Sequence, residues 1–403
     1  MTMKADKPLR ICLIGSHFAE YVFALARAVS FHAEVLVVAQ KENTVAEISA
    51  DFVREGCGGL RTHFLRRTRN PLSIAVQALA LVRAVRGFAP DVIHVQEDSK
   101  DILALALPFL GHVPVLLTVH DPKPHSGDDA RVRRMTRHGR YIAQLRKRAD
   151  AVLVHGHTMV DDARSVMERP ALEAFVVPHG PLGQGVAVQD DVRREPGRCL
   201  FFGRIEAYKG LGRFIDVVEL LAQRGVAVKG VVAGRGSDLE RHRARLQSPR
   251  FEVLDKFLAP EEVAREFRRA DLVLMPYENA TQSGVAAYAM GVGRPAVVFD
   301  VGALRELVRD AETGLVVPAG DMEALARAVQ RVVEDRALNL QLSANAAALG
   351  QGELSWPQIA RQSCAIYEGL ARRANPVRFA GPHDMQPNRH MTAAASESGK
   401  QGK

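Results

Sequence analysis

The chain has 403 residues, of which 47% are hydrophobic and 25% are charged. This composition excludes a disordered chain, a collagen, a coiled coil and a small disulfide scaffold. The length exceeds what one ordinary core supports, so we expect two domains of similar size. The 54 Lys and Arg residues outnumber the 46 Asp and Glu residues, and the resulting charge of +8 indicates that the protein contacts something anionic.

The four cysteines lie far apart in the sequence and form no Cys-x-x-Cys pair. A disulfide framework or a zinc knuckle is therefore not indicated, and a reducing, cytoplasmic location fits best. The apolar run near the N-terminus is too short for the core of a signal peptide. The uncharged stretch 102–119 contains prolines and a glycine, which favour a buried helix at 102–110 and a strand at 115–119 over a membrane span.

Short apolar runs alternate with helix-length periodic segments along most of the chain. This alternation predicts parallel sheets that are covered by helices. The strands predicted in the first half are 9–15, 34–39, 91–95, 113–119, 151–155 and 175–178. Those predicted in the second half are 198–203, 226–233, 251–254, 271–276, 295–299 and 314–317.

A glycine-rich run at 180–185, followed by polar residues up to Gly197, has the composition of a linker. We therefore predict a first doubly wound α/β domain at 1–185 and a second at 186–352. Two such domains leave a cleft between them, where the carboxyl ends of the strands meet ligands. A last helix is predicted at 353–374, and the polar, aperiodic residues 375–403 predict a disordered tail.

In the first half, groups that can bind ligands or transfer protons follow several of the predicted strands. They are the run Gly15-Ser16-His17 and the histidines His94, His120, His155 and His179. A single histidine at such a position is most often a structural residue. Several histidines that follow different strands lie on the same edge of one sheet, and this repetition instead indicates a functional site.

In the second half, the first strand ends at Gly203-Arg204, and Lys209 follows five residues later. An arginine fork and a lysine point charge can converge on one diphosphate, with backbone N–H groups of the following helix adding to them. The alternative is two solvated surface cations. Gly234 after the next strand allows the backbone to approach a ligand, but neither a dinucleotide fingerprint nor a P-loop is present.

The segment 276–295 is the richest in signals. A small polar loop runs into a helix that starts with Ser283-Gly284-Val285, where no bulky side chain keeps a phosphate from the backbone amides. The loop at 302–306 places a second glycine before a helix on the same edge. Two helix N-termini together with Arg204 and Lys209 would form a receptor for a nucleotide-linked diphosphate.

With these motifs the chain resembles the retaining glycosyltransferases of family 4. The resemblance runs from the Gly15 loop to the Trp356 helix and rests on four segments: 203–210, 283–295, 302–306 and 314–318. It implies the GT-B fold, in which two Rossmann-like domains face each other and the last helix crosses back to the first domain. It also implies that the second domain binds the nucleotide sugar, that the first binds the acceptor, and that the transfer retains configuration.

The resemblance and the motifs together predict the residues of the site. The predicted catalytic residues are Arg204, Lys209 and His120. The predicted donor-binding residues are Gly15, Gly203, Gly234, Glu278, Gln282, Ser283, Gly284, Val285, Tyr288 and Glu306. No carboxylate cluster in the segment indicates a metal, so we predict neither a metal nor any other cofactor.

One departure from the family pattern concerns two glutamates that contact the donor sugar and the ribose hydroxyls. With 293–295 as the anchor, their positions fall on Ala280 and Tyr288, which are not acidic. Glu278 and Glu306 are therefore candidate substitutes. The surrounding pattern resembles a sub-branch found among bacterial surface-polysaccharide transferases.

Two alternatives stay open at this point. One is a GT-B protein that has lost turnover and acts as a binding or scaffold subunit, and the other is a GT-B epimerase or phosphorylase. Nucleic-acid binding is disfavoured, because the aromatic content is 6% and basic residues do not interleave with aromatic ones.

The basic residues of the first half fall into two groups. The segment 131–148 has eight Lys or Arg residues and no acid, with apolar residues at helical spacing. The second group consists of Arg61, Arg66, Arg67 and Arg69. Either these are solvated faces, or they rest on an anionic membrane surface and bring the enzyme to a lipid-linked or saccharide acceptor.

Overall fold

The computed structural model of the protein describes residues 8–97, 100–122, 137–183 and 192–376. The predicted tail from 377 onward, part of the predicted linker (184–191) and the start of the predicted basic helix (131–136) lie outside these ranges. Within them the chain forms one parallel sheet of seven strands and another of six.

The first sheet and its helices occupy the N-terminal half. The strands are β1 (Arg10–Gly15), β2 (Glu34–Gln40), β3 (Arg61–Leu65), β4 (Val92–Gln96), β5 (Val115–Thr118), β6 (Ala151–Val154) and β7 (Ala174–Val176). The helices are α1 (Ala19–Val29), α2 (Lys41–Glu47), α3 (Ala50–Arg54), α4 (Pro71–Phe88), α5 (Asp101–Ala106), α6 (Arg137–Arg148) and α7 (Val160–Val166). The strand order is β3-β2-β1-β4-β5-β6-β7, and a hydrophobic core lies on each face of the sheet.

The second sheet follows after the linker. Its strands are β8 (Arg198–Phe202), β9 (Lys229–Ala233), β10 (Phe251–Leu254), β11 (Leu272–Met275), β12 (Ala296–Phe299) and β13 (Gly314–Val317). The remaining helices are α8 (Leu211–Gln223), α9 (Ser237–His242), α10 (Pro260–Arg269), α11 (Gly284–Gly291), α12 (Leu304–Leu307), α13 (Met322–Glu334), α14 (Arg336–Gln351) and α15 (Trp356–Ala374). The strand order is β10-β9-β8-β11-β12-β13.

Both sheets reverse their winding direction beside their first strand. In the first sheet β1 pairs with β2 on one side and β4 on the other, and in the second sheet β8 pairs with β9 and β11. Loops diverge at such a switch point and leave a crevice beyond the carboxyl ends of the strands. The predicted α/β fold with two doubly wound domains is confirmed.

The final helix, α15, packs on the first domain although it follows the second in the chain. Its residues Trp356, Ile359 and Tyr367 are buried in the same core as α1. The indole Nε1 of Trp356 donates to the carbonyl of Pro181 at 2.9 Å, and the hydroxyl of Tyr367 lies 2.7 Å from Nδ1 of His94. The helix therefore crosses back, as the predicted fold requires.

Two elements of the first domain bear on the sequence predictions. The strand β3 is absent from the predicted set, because this edge strand is polar and only its last residue, Leu65, is buried. The stretch 102–119 forms α5, a 3-10 turn and β5, as predicted.

Among the described residues, α4 is long and apolar enough to cross a membrane by length and composition alone, with a mean hydropathy of 1.3.

Candidate functional site

A cavity of about 510 Å³ lies between the two sheets, at the edges where their strands end. The first domain lines it with Phe18, Glu20, Tyr21, Glu47 and His179, and the second lines it with Gly203, Arg204, Gly234, Arg235 and Tyr288. These residues follow the switch-point strands of both sheets or lie on helices beside them. The cavity therefore occupies the position where open α/β sheets bind ligands.

Two cations meet at the end of β8. Lys209 closes a 3-10 turn at Ala207–Lys209, and α8 starts two residues later at Leu211. Its Nζ would lie 2.7 Å from a Cβ added at Gly203, so the ammonium lies against the end of β8. Burial, and then the charge of Arg204, lowers the pKa of Lys209 to about 8.

The loops after β8 and β9 touch through two glycines. Gly203 has φ +111° and Gly234 has φ +138°, a region that side-chain-bearing residues rarely adopt. A Cβ on Gly234 would lie 1.9 Å from the carbonyl oxygen of Gly203. At this contact the two loops therefore present only backbone atoms next to Arg204.

The start of α11 lies beside the loops that follow β8 and β9. Ser283 caps the helix, and its Oγ accepts from the backbone N–H of Ala286 at 3.2 Å. The backbone N–H groups of Gly284 and Val285 belong to the first turn, where no intrahelical acceptor exists. Oε1 of Gln282 is buried without a hydrogen-bond partner among the described residues. The helix start thus offers backbone donors next to the two cations.

Four buried histidines occupy the facing edge of the first sheet. The ring of His155 lies 4.9 Å from that of His120 and 5.1 Å from that of His179, centroid to centroid. Burial lowers the pKa of His120 to about 3 and that of His179 to about 4, so both rings are neutral at pH 7. His94 is held between Tyr367 and Thr118, which gives it a structural role.

His120 has a defined orientation in this cluster. Its Nε2 lies 2.8 Å from Oε1 of Gln96, so Nε2 carries the proton and Nδ1 is an acceptor. That Nδ1 is buried and has no partner among the described residues. The ring of Phe18, which lines the cavity, lies against His120 at 4.3 Å.

The two predicted substitute glutamates do not line the cavity. The half-exposed carboxylate of Glu278 pairs with Arg213. Glu306 crosses between the domains, because its carboxylate accepts from the backbone N–H groups of His157 at 2.7 Å and Thr158 at 3.0 Å. Glu306 therefore holds the two domains together in this arrangement.

The cavity lining also lacks the predicted donor residues Gln282, Ser283, Gly284 and Val285 and the predicted catalytic residues Lys209 and His120. Gly15, a further predicted donor residue outside the lining, allows close packing in the first domain. It ends β1, and a Cβ there would lie 2.6 Å from a methyl group of Val22 on α1. A second contact between the domains joins the hydroxyl of Thr281 to the carboxylate of Asp121.

The cavity carries two carboxylates that sequence reasoning missed, Glu20 and Glu47. The carboxylate of Glu20 accepts from the backbone N–H of Gly183, and burial together with the charge of Glu47 raises the pKa of Glu20 to about 7. Tyr288 packs directly against Gly183, and burial, together with the charge of Glu20, raises the pKa of the Tyr288 hydroxyl. An acidic residue in a first helical turn is so common that no sequence signal distinguished Glu20.

The described residues include no group of three or more His, Cys, Asp or Glu side chains that could hold a metal ion. The cations that line the cavity are Arg204, Arg235 and Lys256, and the buried Lys209 lies next to Gly203. This set of groups suits an anionic ligand.

Comparison with protein families gives two matches along the chain. The model described as Glycosyltransferase Family 4 matches residues 18–180, and the model described as Glycosyl transferases group 1 matches residues 196–335. Together they account for about three quarters of the chain.

Individual relatives carry different names. A D-inositol 3-phosphate glycosyltransferase of Nocardioides is 37% identical over 187 residues, which cover 42% of this chain but only 40% of that protein. A glycogen synthase of Mycobacterium tuberculosis is 24% identical over 296 residues, covering 71% of this chain and 70% of that one. Anabaena HepE in complex with UDP-glucose matches 90% of this chain and 100% of its own, with a TM-score of 0.66 and 17% identity, which supports the fold.

The pKa of Lys209, about 8, predicts how nucleoside diphosphate affinity depends on pH. The ammonium form, which attracts the diphosphate, predominates below this pKa and is lost above it, so we expect affinity to fall as the pH rises from 7 to 9. The terminal phosphate has a pKa of about 6 and is therefore almost fully ionised from pH 7 upward, so its ionisation does not offset the expected fall in affinity.

The measurement is calorimetric titration with UDP, GDP and ADP across this range. The variant Lys209→Arg keeps its cation and should give a flatter profile, because guanidinium does not deprotonate there. An equally steep fall in the wild type and in Lys209→Arg would show that another group controls the effect.

Proposed function

The chain belongs to the glycosyltransferases that join a family 4 domain to a group 1 domain, and on this premise we propose that it transfers a sugar from a nucleoside-diphosphate donor to a hydroxyl acceptor with retention of configuration. The supporting observation is that Arg204 lines the interdomain cavity, while Lys209 and Val285 at the start of α11 both lie beside Gly203, which lines the same cavity. We assign this reaction to the synthesis of a cell-surface polysaccharide or glycolipid.

The chemistry follows from where charge develops. As the anomeric C–O bond breaks, negative charge grows on the leaving diphosphate. Arg204, Lys209 and the free N–H groups of α11 are fixed donors around that position, and such preorganised groups stabilise a transition state without reorganising. The acceptor hydroxyl then gives its proton to the leaving phosphate. Two cations and a helix start neutralise the diphosphate in place of a metal.

His120 supplies a group from the first domain. Its neutral ring presents Nδ1 as an acceptor because Gln96 holds Nε2. A sugar hydroxyl of the donor can donate to this nitrogen once Phe18 moves aside. Phe18 has a left-handed backbone, with φ +59°, which is an uncommon conformation for such a residue.

Replacing the cations tests the proposed function. A thermal-shift screen with UDP-, GDP- and ADP-sugars first identifies the donor. We then expect Arg204→Ala and Lys209→Ala each to lower turnover by roughly 100-fold or more, because each removes charge that stabilises the leaving group.

The control for these variants is Arg224→Ala, which removes an exposed arginine of the same domain that pairs with Glu323. Turnover should also persist in EDTA. Near-normal turnover in both cation variants would refute their assignment, and loss in EDTA that Mg²⁺ restores would refute metal independence.

We further assign the ribose contact to Glu20. In the family that this chain resembles, a glutamate binds the ribose, and Tyr288 occupies its position here. Glu20 of the first domain lines the same cavity as Tyr288. It lies close enough to affect the pKa of Tyr288. A carboxylate that accepts hydrogen bonds from two hydroxyls would replace the family glutamate from the opposite wall.

The test for Glu20 compares a nucleoside diphosphate with its 2′-deoxy analogue. The wild type should prefer the ribonucleotide by roughly tenfold, since a hydrogen bond to a charged group contributes about 1.5–3 kcal/mol. Glu20→Gln should reduce this preference, whereas Glu55→Gln, at an exposed position of the same domain, should not. An unchanged preference in Glu20→Gln would reject the assignment.

We also propose that the first domain rests on an anionic membrane. Besides the basic segment 131–148, α4 offers a surface for this contact. In that segment Arg146 pairs with Glu97 at 2.6 Å and Arg148 donates to main-chain carbonyls, while residues 131–136 lie outside the described ranges. On α4, Leu72, Val76 and Leu79 form an exposed apolar stripe at helical spacing, with exposures of 73%, 60% and 49%.

Flotation with phosphatidylglycerol vesicles tests this surface. Replacing Leu72, Val76 and Leu79 together by serine should lower the bound fraction, because the apolar area that enters the interface is lost. Leu340→Ser, which removes an exposed leucine of the second domain, should leave binding unchanged. No binding of the wild type at low salt would end the membrane proposal.

A further inference from the structure

A second cavity, of about 520 Å³, lies wholly within the first domain. It opens at the carboxyl ends of β1, β2 and β3, where it is lined by Ser16, Gln40 and Leu65. Ile74 of α4 and Ile102 of α5 complete its apolar side. None of the residues that hold the donor diphosphate in the proposed mechanism lines it.

Positive charge dominates the lining of this cavity. Its cations are Arg66, Arg67, Arg69 and Lys100, against a single lining carboxylate, Asp101. Glu42 also lies nearby, but its carboxylate accepts from the backbone N–H of Arg67 at 3.1 Å. Within the described part of the chain, none of the four cationic side chains forms a salt bridge.

Arg61 separates from this group in the structure. The sequence places it with Arg66, Arg67 and Arg69, but it starts β3, at the opposite edge of the sheet. Its guanidinium lies 5.4 Å from the centre of the Phe88 ring, a packing contact that accounts for it. The three remaining arginines therefore belong to one loop and one cavity.

Two cations of this cavity, Arg67 and Lys100, affect a residue on the side of the interdomain cleft, His17. Burial lowers the pKa of His17, and the charges of Lys100 and Arg67 lower it further. Ser16 lines the cationic cavity and Phe18 lines the donor cavity. Two residues of extended chain span at most about 7 Å, so the two cavities open side by side along one loop.

We propose that the cationic cavity binds a phosphate or diphosphate group of the acceptor. Arginine forks match phosphate oxygens, and a neutral saccharide would leave four cations facing a single lining carboxylate. A group held there lies close to the donor cavity, so a neighbouring hydroxyl can approach the anomeric carbon. This proposal rests on the proposed function, in which the first domain binds the acceptor.

The test uses inorganic pyrophosphate as the probe and calorimetry as the measurement. The donor site is first saturated with the nucleoside diphosphate that binds best, so that Arg204 and Lys209 are occupied. Under these conditions wild-type protein should bind pyrophosphate, and Arg67→Ala/Arg69→Ala should bind it at least roughly tenfold more weakly. Arg83→Ala, at an exposed position farther along α4, is the matched control.

Nucleotide affinity separates this proposal from the proposed function. If the double variant keeps wild-type affinity for the nucleotide, it is folded and its donor site is intact. Absence of pyrophosphate binding to the nucleotide-saturated wild type, or equal binding by wild type and double variant, would overturn the acceptor-phosphate site and leave the donor site standing. Failure of the wild type to bind any nucleoside diphosphate would instead refute the proposed function.

A second arm identifies the source of the phosphate. Phosphatidylglycerol vesicles are titrated against the nucleotide-saturated protein with and without pyrophosphate. Displacement from vesicles by pyrophosphate, together with weaker vesicle binding by Arg67→Ala/Arg69→Ala, would support a lipid headgroup at the site. Pyrophosphate binding that vesicles do not affect would support a soluble phosphorylated acceptor.

Discussion

The position of one buried ammonium governs the organisation of the donor site. Nζ of Lys209 lies against the end of β8 at Gly203, and Gly234 crosses the same point with only backbone. Burial next to Arg204 makes the charged lysine unfavourable in the free protein, which lowers its pKa. An anion bound beside Lys209 would offset both costs.

The excess positive charge of the chain divides into local features with different roles. Arg146 and Arg148 anchor α6 to the first domain, and Arg204 and Lys209 lie together after β8. A further group lines a separate cavity of the first domain. Charge that is concentrated this way acts over about 10 Å at moderate salt, so each group influences its own ligand far more than the others.

The fold could be predicted from the sequence for identifiable reasons. Continuous apolar strands and glycine-bearing loops repeat along the chain, and the loop before α11 carries small residues at a helix start. These signals are local, so periodicity and spacing revealed them. The polar edge strand β3 and the internal use of Arg146 left no such signal, because each depends on a partner distant in sequence.

The sequence by itself determined two doubly wound domains, and it predicted the pair Arg204 and Lys209 and a helix that starts with Ser283-Gly284-Val285. Only the tertiary structure decided which carboxylates reach the cavity: Glu20 lines it, while Glu278 pairs with Arg213 and Glu306 spans the two domains. The physical reason is that propensity and capping act within a few residues. The surroundings of a side chain depend instead on which elements pack together across more than a hundred residues of chain.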